Sequence, residues 1–338
     1  MQIEQISASR VNTFIECSFK YFLNYEVYIC DKCGEYTFLS ELRNIGRNDK
    51  ICLNPDCNEQ KLRKISLPTS WAALNGTICH KVLELYAQAK KEGKKDWRLN
   101  WKDNLLKFYL EDYAEFDVDS PPLFYSNADI NPCHKKCYIY NKFKKNMCVK
   151  FSKKESFCFE NIVSDTINLL DKTINKYDKR FENECIETEK EFNIYLNDKV
   201  KLTGKIDTIF EIDENTIEIV DYKTGNKTKK YDELLKDLQA KFYFLAASHL
   251  FPEKKYCLLT FDYLKKYPVT LTFDKFQNKF IEQKIIKYWK AIEDTTILRR
   301  LPLNRDGSIF WYCQRMCSRK LCDEIWKIYY ERYGLEGF

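Results

Sequence analysis

Glycine and proline, the residues that punctuate a backbone most sharply, are scarce here: 9 and 8 in 338 residues. No low-complexity linker and no internal repeat divides the chain. Histidine is rarer still, at 3. No stretch approaches the uncharged apolar length of a membrane span, and the N-terminus lacks a signal-peptide pattern. The expectation is a cytoplasmic protein, or one of the host cytoplasm if viral, with no membrane partner. No Gly-x-x-x-x-Gly-Lys-(Ser/Thr) loop occurs, so the chain holds no nucleotide-driven motor of its own.

What is present is a balanced, core-forming composition. Apolar residues make up 44%, and 56 basic against 50 acidic residues leave a net charge of +6. Mean hydropathy is −0.53. Such a mild charge permits a nucleic-acid partner without demanding one. The length suits one large domain with insertions or two modest ones. The unusual number is 15 cysteines. In a reducing compartment clustered cysteines read first as metal ligands.

Four of them form two tight pairs, Cys30-x-x-Cys33 and Cys52-x4-Cys57, separated by a short polar segment. Each pair can act as a knuckle presenting two thiolates to one tetrahedral ion, and Gly34 and the Asn54-Pro55-Asp56 turn help the backbone curl. Residues 30–66 are therefore expected to be a zinc-ribbon-like insertion with a closed, structural Zn²⁺ site. Before it, residues 1–29 carry Val11, Phe14, Ile15, Phe19, Phe22 and Leu23 at helical spacing, with Ser7 or Ser9 as cap. Cys17 sits inside that set and reads by itself as a core thiol. After it, residues 70–92 read as an amphipathic helix with Leu74, Ile78, Val82, Leu85 and Ala89 as its stripe and His80 beside it.

Residues 94–185 are expected to be a helical and basic insertion. There Lys142, Lys144, Lys145, Lys150, Lys153 and Lys154 alternate with Tyr138, Tyr140, Phe143 and Phe151. The mixture suits either single-strand binding or a plain solvated face. Cys133, His134 and Cys137 match no common metal pattern and read as free.

The stretch Lys201–Lys223 carries the densest chemistry. Ile206, Ile209 and Ile212, then Ile217 and Ile219, flank the turn Asp213-Glu214-Asn215, the pattern of a half-buried antiparallel hairpin. Residues two apart in a strand share a face. Asp221 and Lys223 therefore project together, and the hairpin partner can bring Asp207 beside them. Two carboxylates and an ammonium suit a hard divalent cation and a phosphodiester. A third strand, 187–196, precedes the hairpin, with Glu191 as a supporting acid or an exposed residue. Residues 231–250 read as one helix with Gln239 and Tyr243 four apart on one face. Strands at 256–263 and 268–273 and a helix at 275–294 follow. Last come Cys313, Cys317 and Cys322, a metal set one ligand short.

Gly76-x-x-x-His80, Gly204-x-x-Asp207, Asp221-x-Lys223, Gln239-x-x-x-Tyr243 and the C-terminal cysteines, in that order, resemble the RecB-like branch of the PD-(D/E)XK nucleases. The resemblance is to its iron–sulfur members: the AddB nuclease domain and the CRISPR-associated RecB-like exonucleases. It covers the N-terminal helix and roughly the last half of the chain, leaving residues 30–66 and about 94–180 as insertions.

The resemblance implies an α/β (α+β) restriction-endonuclease-like core, a central mixed sheet flanked by helices. Residues 1–29 and 67–93 would supply its N-terminal helices, 186–295 the catalytic core and 296–338 the cysteine region. It implies that His80, Asp207, Asp221 and the Tyr222 carbonyl hold Mg²⁺ or Mn²⁺. Lys223 would be the catalytic lysine, and Gln239 and Tyr243 would position it and the strand. Cys17 would join Cys313, Cys317 and Cys322 on a [4Fe–4S] cluster. Two details depart from the family: Ser18 follows Cys17 where proline is common, and the C-terminal spacing is Cys-x3-Cys-x4-Cys rather than Cys-x2-Cys-x5-Cys. The activity implied is hydrolysis of DNA from ends or single strands, with a helicase or recombination protein as a partner. The competing expectations are an inactive nuclease fold that binds DNA and a structure-specific endonuclease.

Overall fold

The computed structural model describes residues 4–45, 51–57, 62–65, 71–94, 105, 159–180, 184–274, 278–297 and 319–334. The basic and aromatic run of residues 138–154, the Cys133–His134–Cys137 group, Cys313 and Cys317 lie outside them. The chain divides into two units, the first Met1–Pro68, Tyr195–Leu202 and Glu282–Phe338, the second Thr69–Ile194 and Thr203–Ile281.

In the first unit, β1 (Glu4–Ile6) leads into α1 (Ala8–Glu16) and α2 (Ser18–Tyr25). Ser7 caps α1, accepting from the Arg10 amide at 3.3 Å. The expected single helical stripe is broken at Cys17, whose backbone is extended. Cys17 ends α1 by donating its N–H to the Thr13 carbonyl and starts α2 by accepting from the Lys20 amide through Sγ. Ile15, expected in the stripe, is 54% exposed. β1 pairs in parallel with the first three residues of β6 (Val200–Asp213).

A small antiparallel sheet follows, with β2 (Val27–Cys30) between β3 (Tyr36–Phe38) and β4 (Leu62–Lys64). The short α3 (Leu39–Asn44) continues from β3. The C-terminal helix, Arg319–Tyr333, closes on this unit. Its Ile325 and Tyr329 join Phe19, Phe22, Leu23, Val27, Phe38 and Ile65 in one core cluster. Arg332 then pairs with Glu35 at 2.8 Å and Glu41 at 3.2 Å. The ribbon sheet and the last helix are thus tied by apolar packing and by charge-assisted bonds.

The second unit is built on a mixed sheet. β5 (Glu184–Tyr195) pairs with β6, and β6 pairs antiparallel with β7 (Thr216–Lys223). β7 runs parallel to β8 (Tyr256–Tyr263), which pairs antiparallel with β9 (Pro268–Asp274). Two parallel neighbours need a crossover. Two helices, Tyr231–Lys236 and Leu238–Leu250, supply it. The expected single helix is interrupted at Asp237, which leaves helical geometry to cap the second of them. That helix packs on β8, and the Phe244 ring stacks on Phe273 at 4.4 Å.

The hairpin is not half-buried as its alternation suggests. Six consecutive residues of β7, Ile217–Tyr222, are buried, because β7 lies between β6 and β8 with both faces covered. Helix α4 (Trp71–Lys91) buries Ile78, Val82 and Ala89 and packs against the helix Phe159–Arg180. The remaining long helix spans Asn278–Ile297.

Candidate active site

The register decides which carboxylates meet. Thr208 stands opposite Val220, so Asp207 and Asp221 face one another across the β6–β7 ladder and share a face. Asp207 Oδ2 accepts the Tyr222 amide at 2.8 Å. Its Oδ1 lies 3.3 Å from His80 Nδ1. His80 reaches it from α4, and its ring meets Tyr222 edge-on at 6.0 Å. Gly76, one turn earlier, leaves room: a Cβ there would stand 3.3 Å from Thr224 Oγ1.

On the Asp221 side, four side chains form a closed set. Lys223 Nζ stands 2.6 Å from Asp221 Oδ2 and donates to Gln239 Oε1 at 2.8 Å. Gln239 Nε2 donates to Asp221 Oδ1 at 2.9 Å and to the Tyr243 oxygen at 3.0 Å. Tyr243 in turn donates to Asp221 Oδ1 at 2.8 Å. Gln239 and Tyr243 thus act on the acid and the lysine, holding both rotamers. The break at Asp237 makes this possible: Asp237 Oδ1 accepts the Gln239 amide at 2.7 Å, fixing the first turn of the helix that carries both residues.

The electrostatics follow from burial. Asp221 is 2% exposed. Burial pushes its carboxyl up, Lys223 pulls it down, and Asp207 pushes it up again; the result lies above the ordinary carboxylate value. Burial works against the Lys223 ammonium, but Asp221, Asp207 and Asp237 outweigh it and raise its pKa. The lysine is therefore held in its charged form in the metal-free site. Burial keeps Tyr243 a phenol far above its usual range. Burial also opposes the charging of His80, yet the hydrogen bond and charge of Asp207, with Asp221 and Glu189, raise it overall.

The sequence reading missed one residue. His80, Asp207 and Glu189 bring ligand atoms within 4.8 Å of one another. Glu191, a candidate supporting acid on the same strand, is exposed. Along β5 the alternation places Phe192 and Ile194 inside and residues 191, 193 and 195 outside, which by parity puts 189 outside as well. Glu189 has φ +49°, a left-handed conformation for a non-glycine residue, which interrupts that alternation. An acid three residues before a buried aromatic was the only signal for it.

The donor set suits a hard divalent cation: two carboxylates and an imidazole in one cluster, with a further carboxylate beside them. Asp221 Oδ2 is buried and faces the Lys223 ammonium at 2.6 Å. Asp221 is outside the cluster of three, its Oδ1 being taken by Gln239 and Tyr243.

The four ribbon cysteines also converge. Cys30 and Cys57 sulfurs lie 3.6 Å apart and those of Cys33 and Cys52 3.5 Å apart, all four within one cluster. Thiolates on one tetrahedral zinc stand about 3.8 Å apart, so the set fits. Gly34, at φ +71°, donates to the Cys30 carbonyl at 2.9 Å and closes the first knuckle. The Cys57 amide reaches the Asn54 carbonyl at 3.0 Å and closes the second. The Cys33 amide lowers the Cys30 thiol to about 7, whereas burial pushes Cys52 up to about 12. Cys17 and Cys322 pack against the same core cluster of the first unit.

No curated protein matches the chain. Among solved structures, a candidate exonuclease from Eubacterium rectale aligns over 90% of this chain and 91% of its own, at 11% identity and a TM-score of 0.40. The protein SSO0001 aligns over 48% of this chain and 69% of its own, at 17% identity and a TM-score of 0.28. Likeness at these scores bears on neither fold nor function. The family comparison is more specific: residues 149–305, just under half of the chain, match the PD-(D/E)XK nuclease superfamily, and that stretch contains Glu189, Asp207, Asp221, Lys223, Gln239 and Tyr243.

Proposed function

We propose that the chain is a divalent-metal-dependent deoxyribonuclease of the RecB-like, iron–sulfur kind, acting as an exonuclease on single-stranded DNA or DNA ends. The observation that carries the reading is the bonded set Asp221–Lys223–Gln239–Tyr243 placed across one strand pair from His80, Asp207 and Glu189. His80, Asp207 and Glu189, with Asp221 Oδ2 and the Tyr222 carbonyl, would hold Mg²⁺ or Mn²⁺. That ion supplies Lewis acidity at the scissile phosphate and a more acidic bound water. Lys223, charged and held by Gln239, orients the attacking water and stabilises charge that develops on the phosphoryl oxygens. Gln239 and Tyr243 bind one oxygen of Asp221 and so fix the other toward Lys223.

The four ribbon cysteines would hold one structural Zn²⁺. Cys17 and Cys322, on one core cluster, would be two of four ligands to a [4Fe–4S] cluster, with Cys313 and Cys317 as the others. With no motor of its own, the nuclease would take single strands, fraying ends or the product of a helicase or recombination partner in the cytoplasm.

The test uses end-labelled DNA and circular single-stranded DNA with Mg²⁺ or Mn²⁺. Lys223→Ala and Asp221→Ala are each expected to lower cleavage by about 10²–10⁴-fold while leaving DNA binding in place. Full cleavage by either purified variant overturns the assignment. Cleavage of circles would instead identify an endonuclease, and metal-dependent binding without cleavage an inactive fold. Visible absorbance after anaerobic purification tests the cluster, and metal analysis tests the zinc.

A further inference from the structure

Glu189 serves two neighbours at once. Its carboxylate belongs to the His80–Asp207 cluster, and it also holds the Lys205 ammonium in an ion pair. Lys205 lies on β6 two residues before Asp207, so the two side chains leave the same face of the strand. The two partners differ in exposure. The Glu189 side chain is 15% exposed and that of Lys205 is 50% exposed. The carboxylate is thus anchored in the site while the ammonium sits at its open edge. Glu189, with Glu84 and Glu191, keeps Lys205 firmly charged.

A divalent cation entering the cluster places a second positive charge on the carboxylate that binds Lys205. Two cations that share one carboxylate weaken one another, and the one half in water on a flexible four-carbon stem is the one free to leave. The incoming substrate is a polyanion whose phosphates need such a charge. Glu189 is held in a left-handed backbone conformation, and Lys205 swings on its own stem.

We propose that Lys205 is a substrate-phosphate contact that Glu189 holds in reserve, released toward the bound strand when a divalent cation takes up the Glu189 carboxylate. The proposal rests on the reading of His80, Glu189 and Asp207 as a cation site. It makes the site ordered, with the cation binding first and a backbone phosphate second. It also gives Lys205 opposite effects on two ligands, which a merely structural lysine would not have.

The experiment measures Mn²⁺ binding calorimetrically, without DNA, for the wild type and for Lys205→Gln, Lys205→Arg and Asp207→Asn. Removing the competing charge in Lys205→Gln should tighten Mn²⁺ binding by about tenfold, whereas Lys205→Arg should bind like the wild type. A labelled single-stranded oligonucleotide is then titrated in the cleavage-dead Lys223→Ala background, with and without Mn²⁺. Adding Lys205→Gln should reduce the Mn²⁺-dependent gain in affinity to the part the cation itself supplies, and should lower the salt slope measured with Mn²⁺ by about 0.7, the share of one single-strand phosphate. Unchanged or weaker Mn²⁺ binding by a folded Lys205→Gln protein overturns the proposal, as does an unchanged salt slope. The underlying cation site fails separately if Asp207→Asn binds Mn²⁺ as well as the wild type does.

Discussion

On the proposed reading Tyr243 and Gln239 are positioning residues, because their side-chain hydrogen bonds run to Asp221, to Lys223 and to each other. Tyr243→Phe should therefore lower kcat by about tenfold and leave KM within about twofold, the loss of one hydrogen bond to a charged group. Steady-state kinetics on a single-stranded substrate decide this, and a KM effect with unchanged kcat would place Tyr243 on the DNA instead. His80 gives a pH signature in the metal-free protein. Burial opposes its charging, but Asp207, Asp221 and Glu189 raise its folded pKa above the usual 6.5. That stabilisation is complete below the unfolded value and disappears as pH rises through the higher folded value. The difference in Tm between wild type and His80→Asn, measured with chelator, should shrink as pH rises through that interval. Gly204 is a packing requirement: a Cβ there would lie 2.3 Å from Phe192 Cζ. Gly204→Ala should cost about 1–3 kcal/mol, read from the urea midpoint, and Phe192→Leu should recover part of it.

At the scale of elements, the chemistry depends on interruptions. The break at Cys17 gives that sulfur a helix-capping role at a chain reversal instead of a place in a stripe. The break at Asp237 starts a new helix whose first turn presents Gln239. The left-handed residue in β5 marks Glu189. Asp237→Ala should then act at a distance from the reacting atoms. It removes a cap worth about 1 kcal/mol and loosens Gln239, so thermal stability and kcat should fall together while Mn²⁺ affinity holds. Calorimetry with kinetics on the same preparation checks the pairing. The β6–β7 turn is fixed by Lys254, which donates to the carbonyls of Asp213 at 3.1 Å and Glu214 at 3.3 Å and pairs with Glu211. That lysine keeps the hairpin in the register that opposes Asp207 to Asp221.

At the scale of the whole molecule, two kinds of metal site should separate by their response to chelators. On the proposed reading the oxygen and imidazole set would be a weak, exchangeable site, whereas four thiolates would form a closed one. Brief treatment with EDTA should abolish cleavage, Mg²⁺ or Mn²⁺ should restore it, and zinc content should stay near one per chain throughout. Cys52→Ser should instead lose zinc and open the first unit to proteolysis, because the ribbon sheet shares its core with the last helix through Phe38, Ile325 and Tyr329. Zinc analysis with limited proteolysis follows both effects.

The strands, the long helices and the acid–x–lysine pair were legible because each is set by local spacing: period two for a strand, three to four for a helix. The ribbon was legible for the same reason, since each knuckle is a local loop. His80, Asp207, Asp221, Lys223, Gln239 and Tyr243 could be named from motif order, and the structure brings them together. What spacing could not give was burial on both faces of β7, which depends on segments distant in the chain packing over the sheet. Nor could it give the inward Glu189, since a single residue of positive φ defeats the parity on which strand reading rests. The sequence by itself determined which side chains were available for the chemistry, because residue type and short-range period are written in it. The tertiary structure alone decided which carboxylates come within reach of one another and which lysine each one holds, because those choices rest on strand register and burial, and both are properties of segments distant in the chain.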